Sequence, residues 1–135
     1  MVTEDVILTE IYKLLNVTSV TTAIDGKIYK GEKPVNRQLQ DIVIGLLTNT
    51  KGTLDKIQTG IININIFCKE SVYHLRNNTK LNEITASVIN ALLLFEGQND
   101  IAAFHIVLDS QKVFRDNDDL EMFYNNIRLD FSYKN

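Results

Sequence analysis

The chain has 135 residues, of which 44% are hydrophobic and 23% charged, and it carries a formal net charge of −3 at pH 7. Its length sets a single domain over residues 1–135 with enough buried surface for an independent core, and its acidic balance argues against a protein that coats nucleic acid. One cysteine, Cys68, excludes an internal disulfide and suits a reducing compartment.

Val2–Leu15 predicts a helix, because Val2, Val6, Ile7, Ile11, Leu14 and Leu15 recur at helical spacing. Thr3 is placed to cap it, and Glu4 and Asp5 sit in the first turn, where the helix dipole favours negative charge. The same segment, MVTEDVILTEIYKLL, lacks the positive stretch of a secretory signal, and no apolar run in the chain nears the ~18 to 20 residues of a bilayer-spanning helix. Val17–Thr22 is β-branched and reads as a short extended piece. After the Asp25-Gly26 turn signal, Ile28-Tyr29 predicts a short strand, and Glu32–Gln38, with the lone proline Pro34, a loop. Leu39–Thr48 predicts a strand with Gly45 as a bulge or point of close approach, followed by a polar turn over Asn49–Leu54.

Ile57–Lys69 is the clearest strand. Ile62, Ile64, Ile66 and Cys68 fall on one face, and Ile61, Asn63, Asn65 and Phe67 on the other. Ser71–Thr79 has no clear pattern. Lys80–Phe95 predicts a second helix with Leu81, Ile84, Val88, Ala91, Leu92 and Phe95 on one side, capped by Asn78 or Thr79 and ended by Gly97. Ala102–Phe114 predicts a strand irregular near Asp109–Gln111, Asp116–Glu121 a charged turn, and Phe123–Tyr133 a final strand. The order α-β-β-β-α-β-β with tight connections implies an α+β fold, a single mostly antiparallel sheet with two helices packed on one face. Ile62, Ile64, Ile66, Ile84, Val88, Leu92, Leu129 and Phe131 should then form one core. Asn63 and Asn65, with Ile61, Phe67 and Leu46 or Leu47, should lie on the open face, which suits contact with another subunit or is solvated.

No catalytic constellation stands out. His74 and His105 have no patterned partners, and His105 alternates onto the open face; Cys68 shares a face with three isoleucines and reads as a buried thiol. Phosphate-loop, dinucleotide and zinc-protease motifs are absent, as is metal-ligand spacing, so no catalytic, metal or cofactor site is expected. DNDDLE fits a calcium loop poorly, since Leu120 stands where a third ligand belongs, and it reads as a charged hairpin connection. Lys27, Lys30, Lys33 and Arg37 form an opposing basic stretch that is either solvated or a weak phosphate-contact loop.

The succession KIYKGEKP, DIVIGLL, GIININIFCKE, LNEITASVINALL and YNNIRLDFSY resembles the tail-terminator and tail-completion (head–tail joining) proteins of long-tailed bacteriophages, over nearly the whole chain and in element order more than in any one motif. It departs from them in having NRQLQDIV where further prolines are often found. The resemblance implies a non-enzymatic structural subunit of the virion, assembled in the host cytoplasm, that forms a ring, commonly of six, closing the head-proximal end of the tail tube. Its partners would be itself, tail-tube and head-completion proteins, with no membrane and no tight nucleic-acid binding, though DNA would pass through the ring. On this reading Lys27, Lys30, Lys33 and Arg37 of one subunit are expected to meet Asp116, Asp118, Asp119 and Glu121 of the next, with Asn63 and Asn65 in the same interface. Another neck or baseplate component is the alternative within the class. A small ligand-binding or enzyme domain using the open face, with His105 and Arg128, is the alternative outside it.

Overall fold

A computed structural model describes residues 2–51, 57–96 and 104–134. These form α1 (Glu4–Leu15), α2 (Thr18–Thr21), β1 (Ile28–Lys30), β2 (Ile42–Lys51), β3 (Ile57–Lys69), α3 (Asn78–Glu96), β4 (Phe104–Arg115) and β5 (Met122–Lys134). The strands make one sheet in the order β1-β2-β3-β5-β4. The fold is α+β as expected, with two corrections: the sheet is mixed, and there are three helices among the described residues. β1 runs parallel to β2, with Ile28 opposite Ile42, while the other three pairings are antiparallel.

The alternation of β3 sets the two faces. Ile64 lies between Ile44 of β2 and Ile127 of β5, and Ile62 between Leu46 and Leu129. All eight residues expected in the core belong to one buried cluster, which Ile7, Leu8, Ile11 and Leu15 of α1 join from above. Both long helices therefore cover the same face. Val6, assigned to the α1 stripe from spacing, is exposed, and Leu8 takes its place. Thr3 occupies the N-cap position without making a side-chain hydrogen bond, and the helix begins at Glu4.

Val17–Thr22 is a correction. It forms the single turn α2, closed by a hydrogen bond from Thr22 Oγ1 to Thr18 O (2.6 Å), because winding the chain there drives Val20 into the core. Tertiary burial overrides the β preference of its residues. β2 is displaced toward the C-terminus, covering Ile42–Lys51, so Asn49–Lys51 of the expected turn continue the strand and the rest of that turn lies outside the described residues. The irregularity falls between Leu46 and Thr48 and not at Gly45. It turns Leu46 toward the helices and leaves Leu47 exposed. Gly60 faces this bulge: a Cβ there would stand 2.0 Å from the Thr48 carbonyl oxygen, so only glycine admits the close approach. The irregularity expected near Asp109–Gln111 appears as a register shift between Leu108 and Ser110.

Asn77, not Asn78 or Thr79, opens α3; its Oδ1 accepts from Lys80 N at 3.2 Å. The expected stop at Gly97 lies outside the described residues. At the other end of the chain, buried Gln58 clasps the N-terminal segment, accepting from Val2 N (3.0 Å) and donating to Val2 O (3.1 Å). No helix among the described residues is long and apolar enough to cross a membrane.

Candidate interface on the open sheet face

The face away from the helices has two halves. In the first, Asn63 and Asn65 of β3 stand beside Asn126 of β5, whose Nδ2 donates to Asn65 Oδ1 (2.7 Å) and approaches Asn63 Oδ1 (3.3 Å). The paired asparagines thus satisfy one another across the strands while staying half-exposed. Arg128, Asp130, His105, Val107 and Ser110 continue this surface. His105 lies opposite Ser132, and Arg128 opposite Asn63 and Ser110. Four residues of β5 register separate them, about 13 Å along the strand.

The second half is covered by the chain itself. Because β1 and β2 are parallel, the intervening segment must return along the sheet before β2 can start, and residues 31–41 do so over the open face. Beneath them Val43, Phe67 and Met122 form a second, smaller apolar cluster flanked by Tyr29 and Tyr124. Lys33 Nζ sits over the Phe67 ring, 3.9 Å from its centroid, and donates to Arg37 O at 3.2 Å. Phe67, placed on an open face from its sequence position, is therefore buried by this loop.

Asp41 fixes the loop at its far end and was missed from sequence. It is fully buried; Oδ1 accepts from Lys27 N (2.8 Å) and Oδ2 from Arg37 Nε (2.9 Å). The hydrogen bond to Asp41 holds the Arg37 guanidinium still more firmly protonated than usual. A Cβ at Gly26 would fall 2.2 Å from Asp41 Oδ1, so the glycine makes room for the carboxylate. The available sequence signal was a lone aspartate abutting an apolar strand four residues after an arginine.

The two charged segments come together inside one protomer. Gln38 Nε2 donates to Asp119 Oδ2 (3.1 Å) and Glu121 Oε2 (2.6 Å), tying the 31–41 loop to the acidic turn. Lys33, Arg37, Asp116, Asp118 and Asp119 line a single cavity of about 640 Å3 with Val43, Asn65 and Phe67 at its base. Lys30 points elsewhere, to Asp5 Oδ1 (3.1 Å) and Thr9 Oγ1 (3.0 Å) of α1, and the Lys27 side chain is exposed. Within the turn, Asp116 Oδ1 accepts from Asp118 N (3.0 Å) and Asp119 Oδ1 from Glu121 N (3.1 Å), so these carboxylates shape the hairpin. Among the described residues no group of three or more His, Cys, Asp or Glu is disposed to hold a metal. Cys68 is buried, and burial pushes its thiol up.

The hydrogen bond from Gln38, then that from Glu121 N, hold the Asp119 carboxyl below its usual range. A carboxyl depressed in the folded state stabilises it above the unfolded value of about 3.9 and loses that contribution as pH falls through the lower folded value. The stability gap between the parent and Asp119→Asn should therefore narrow as pH drops below about 3.9. Urea denaturation at neutral pH and at about pH 2.5 checks this; an unchanged gap would mean that ionisation of Asp119 does not brace the loop.

No family model matches the sequence, and no curated protein matches it. Among solved structures, a protein of the virion of the native gene transfer agent (GTA) particle is similar in fold, with a TM-score of 0.65 at 11% sequence identity over 93% of this chain and 92% of that chain.

Proposed function

We propose that this chain is a structural protein of a phage-like virion, a ring-forming subunit that closes the head-proximal end of a tail tube or joins head to tail. The observation that carries the reading is the end-to-end likeness of fold to a protein of the GTA virion, covering 93% of one chain and 92% of the other. The open face supports the reading as well, since half of it is an amide and charge surface with exposed Val107, a composition suited to a subunit contact.

Assembly in the host cytoplasm, incorporation into the virion, and contacts with tail-tube and head-completion proteins belong to this proposal. So does passage of DNA without tight binding, for which a net charge of −3 is appropriate. The subunit contact is assigned to the open face, with Asn63, Asn65, Asp116 and Asp118 at its surface, whereas Lys27 lies beside α1 and α2 near Tyr12, Asn16 and Thr21. Lys33, Arg37, Asp119 and Glu121 are already engaged within the protomer and shape the contact from beneath.

Purified protein is expected to form closed rings by negative-stain electron microscopy, with a matching multiple of the 15.4 kDa subunit mass by light scattering. A monomer at every concentration up to about millimolar would remove the ring-forming role. Immunogold labelling of particles would then set position: label at the head–tail joint supports the terminator reading, and label at the distal tip a baseplate part. The cavity of about 640 Å3 is the observation that favours a ligand-binding domain instead, and saturable small-molecule binding by a permanent monomer would establish it.

A further inference from the structure

We propose that the turn Ser71–Arg76 of one copy of this chain docks into the cavity between the 31–38 loop and the 116–119 turn of a second copy. The turn is an apolar projection: Val72 is 87% exposed, Tyr73 80% and Leu75 65%. It is held in shape by its own hydrogen bonds, from Ser71 N to Leu75 O (2.8 Å), His74 N to Ser71 O (2.9 Å) and Tyr73 N to Ser71 Oγ (3.3 Å). His74 has φ of 62°, a left-handed conformation that is costly for a residue with a side chain. Its Nδ1 lies 2.7 Å from Glu70 Oε1, and Glu70 is anchored in turn by its N–H to Glu121 O (2.8 Å) and by Arg115 Nη1 (3.4 Å). Three large apolar side chains are thus displayed to water on a braced support. Such preorganisation reduces the ordering cost of a contact.

The cavity offers the complement. Its floor is Val43 and Phe67, and its lining carries four carboxylates, Glu32, Asp116, Asp118 and Asp119, against two cations, Lys33 and Arg37. Both cations are committed to their own chain, Arg37 to Asp41 and Lys33 to Arg37 O and the Phe67 ring. With Val43 and Phe67 largely covered by the loop, what the cavity presents outward is the exposed Val35 side chain on its wall, 87% exposed, beside negative charge. His74 is engaged with Glu70, so the charge the turn offers beside its apolar side chains is that of Arg76, which is exposed with no ion-pair partner among the described residues. None of residues 70–77 lines the cavity of its own chain, although Glu70 N donates to Glu121 O and so sets the turn beside the acidic turn that walls it; the turn is a separate projection leading from β3 to α3. Charge and apolarity therefore match between copies. Two different surfaces meeting in this way make a heterologous contact, the type from which rings close.

This contact rests on the proposed self-association and names one of its surfaces. It is tested by a charge exchange. Arg76→Glu and Asp118→Lys change two exposed side chains, and the Asp118 carboxylate makes no hydrogen bond among the described residues, so the fold should be kept, as circular dichroism would verify. Each single variant is expected to weaken association about tenfold, and the double variant to recover most of it. In parallel, a synthetic peptide of residues 70–77 (ESVYHLRN) should shift the backbone amide signals of Asn65 and Phe67 in the labelled full chain, and its Tyr73→Ala form should not. If both single variants assemble like the parent, or the double variant fails to recover, this contact is wrong while the ring reading stands. A parent that is monomeric at every concentration overturns both.

Discussion

Ile64→Ala is expected to lower stability by roughly 2 to 5 kcal/mol. Ile64 sits at the centre of the sheet, fully buried between Ile44 and Ile127, with the helices above it. Truncation removes three carbons from a site whose walls are strands paired on both sides, so the backbone has little freedom to close the void. Ile64→Val, which removes one carbon, should cost roughly 0.5 to 1.5 kcal/mol. Asn65→Ala, one residue along and on the opposite face, should cost about 0.5 to 1.5 kcal/mol through loss of its hydrogen bond with Asn126. Urea denaturation of the three variants gives the order directly. If Asn65→Ala were the most damaging, β3 would be paired one residue out, because a single-residue slip exchanges the faces of a strand.

That experiment probes the part of the fold most legible in the sequence. β3 reads to its exact ends, Ile57 to Lys69, because a long alternating run between turn signals admits one arrangement of faces. α3 and β5 follow from the same periodicity. Legibility fails where a short segment takes its conformation from what packs on it. Thr18–Thr21 looks extended by propensity and winds so that Val20 reaches the core. Ile28–Lys30 is recognisable as a strand, yet three residues carry no signal of direction, and the parallel pairing with β2 could not be read. Everything special about the open face follows from that pairing. A parallel neighbour requires the 31–41 segment to return across the sheet, and the returning segment buries Phe67 and brings the basic loop to the acidic turn. The expected site residues stand out by charge density, and several of them are spent on that internal junction. The exposed turn at Val72–Leu75 carries no sequence signal, because its apolar residues fit neither period, and only exposure in the folded chain singles them out.

Asp41→Ala should be the most damaging change to a polar residue. Its two carboxylate oxygens hold the start of β1 through Lys27 N and the end of the returning loop through Arg37 Nε. Hydrogen bonds to charged groups are worth roughly 1.5 to 3 kcal/mol each, and Lys27 N would be left without its side-chain acceptor. The loss should also propagate, because Arg37 stacks over Tyr29 at 5.5 Å and its carbonyl receives Lys33, which in turn covers Phe67. Released from Asp41, the loop should expose the small cluster of Val43, Phe67 and Met122 while the main core stays intact. Hydrogen exchange should therefore accelerate at Phe67 and Met122 well before it does at Ile64. Asp41→Asn keeps an acceptor for Lys27 N but turns its amide toward the Arg37 donor, so it should fall between the parent and the alanine variant. Coupling between Asp41 and Arg37 in a double-mutant cycle is expected at about 0.5 to 3 kcal/mol. Additive effects within error would mean that the buried carboxylate is held by β1 alone, and that the roof over Phe67 stands without it.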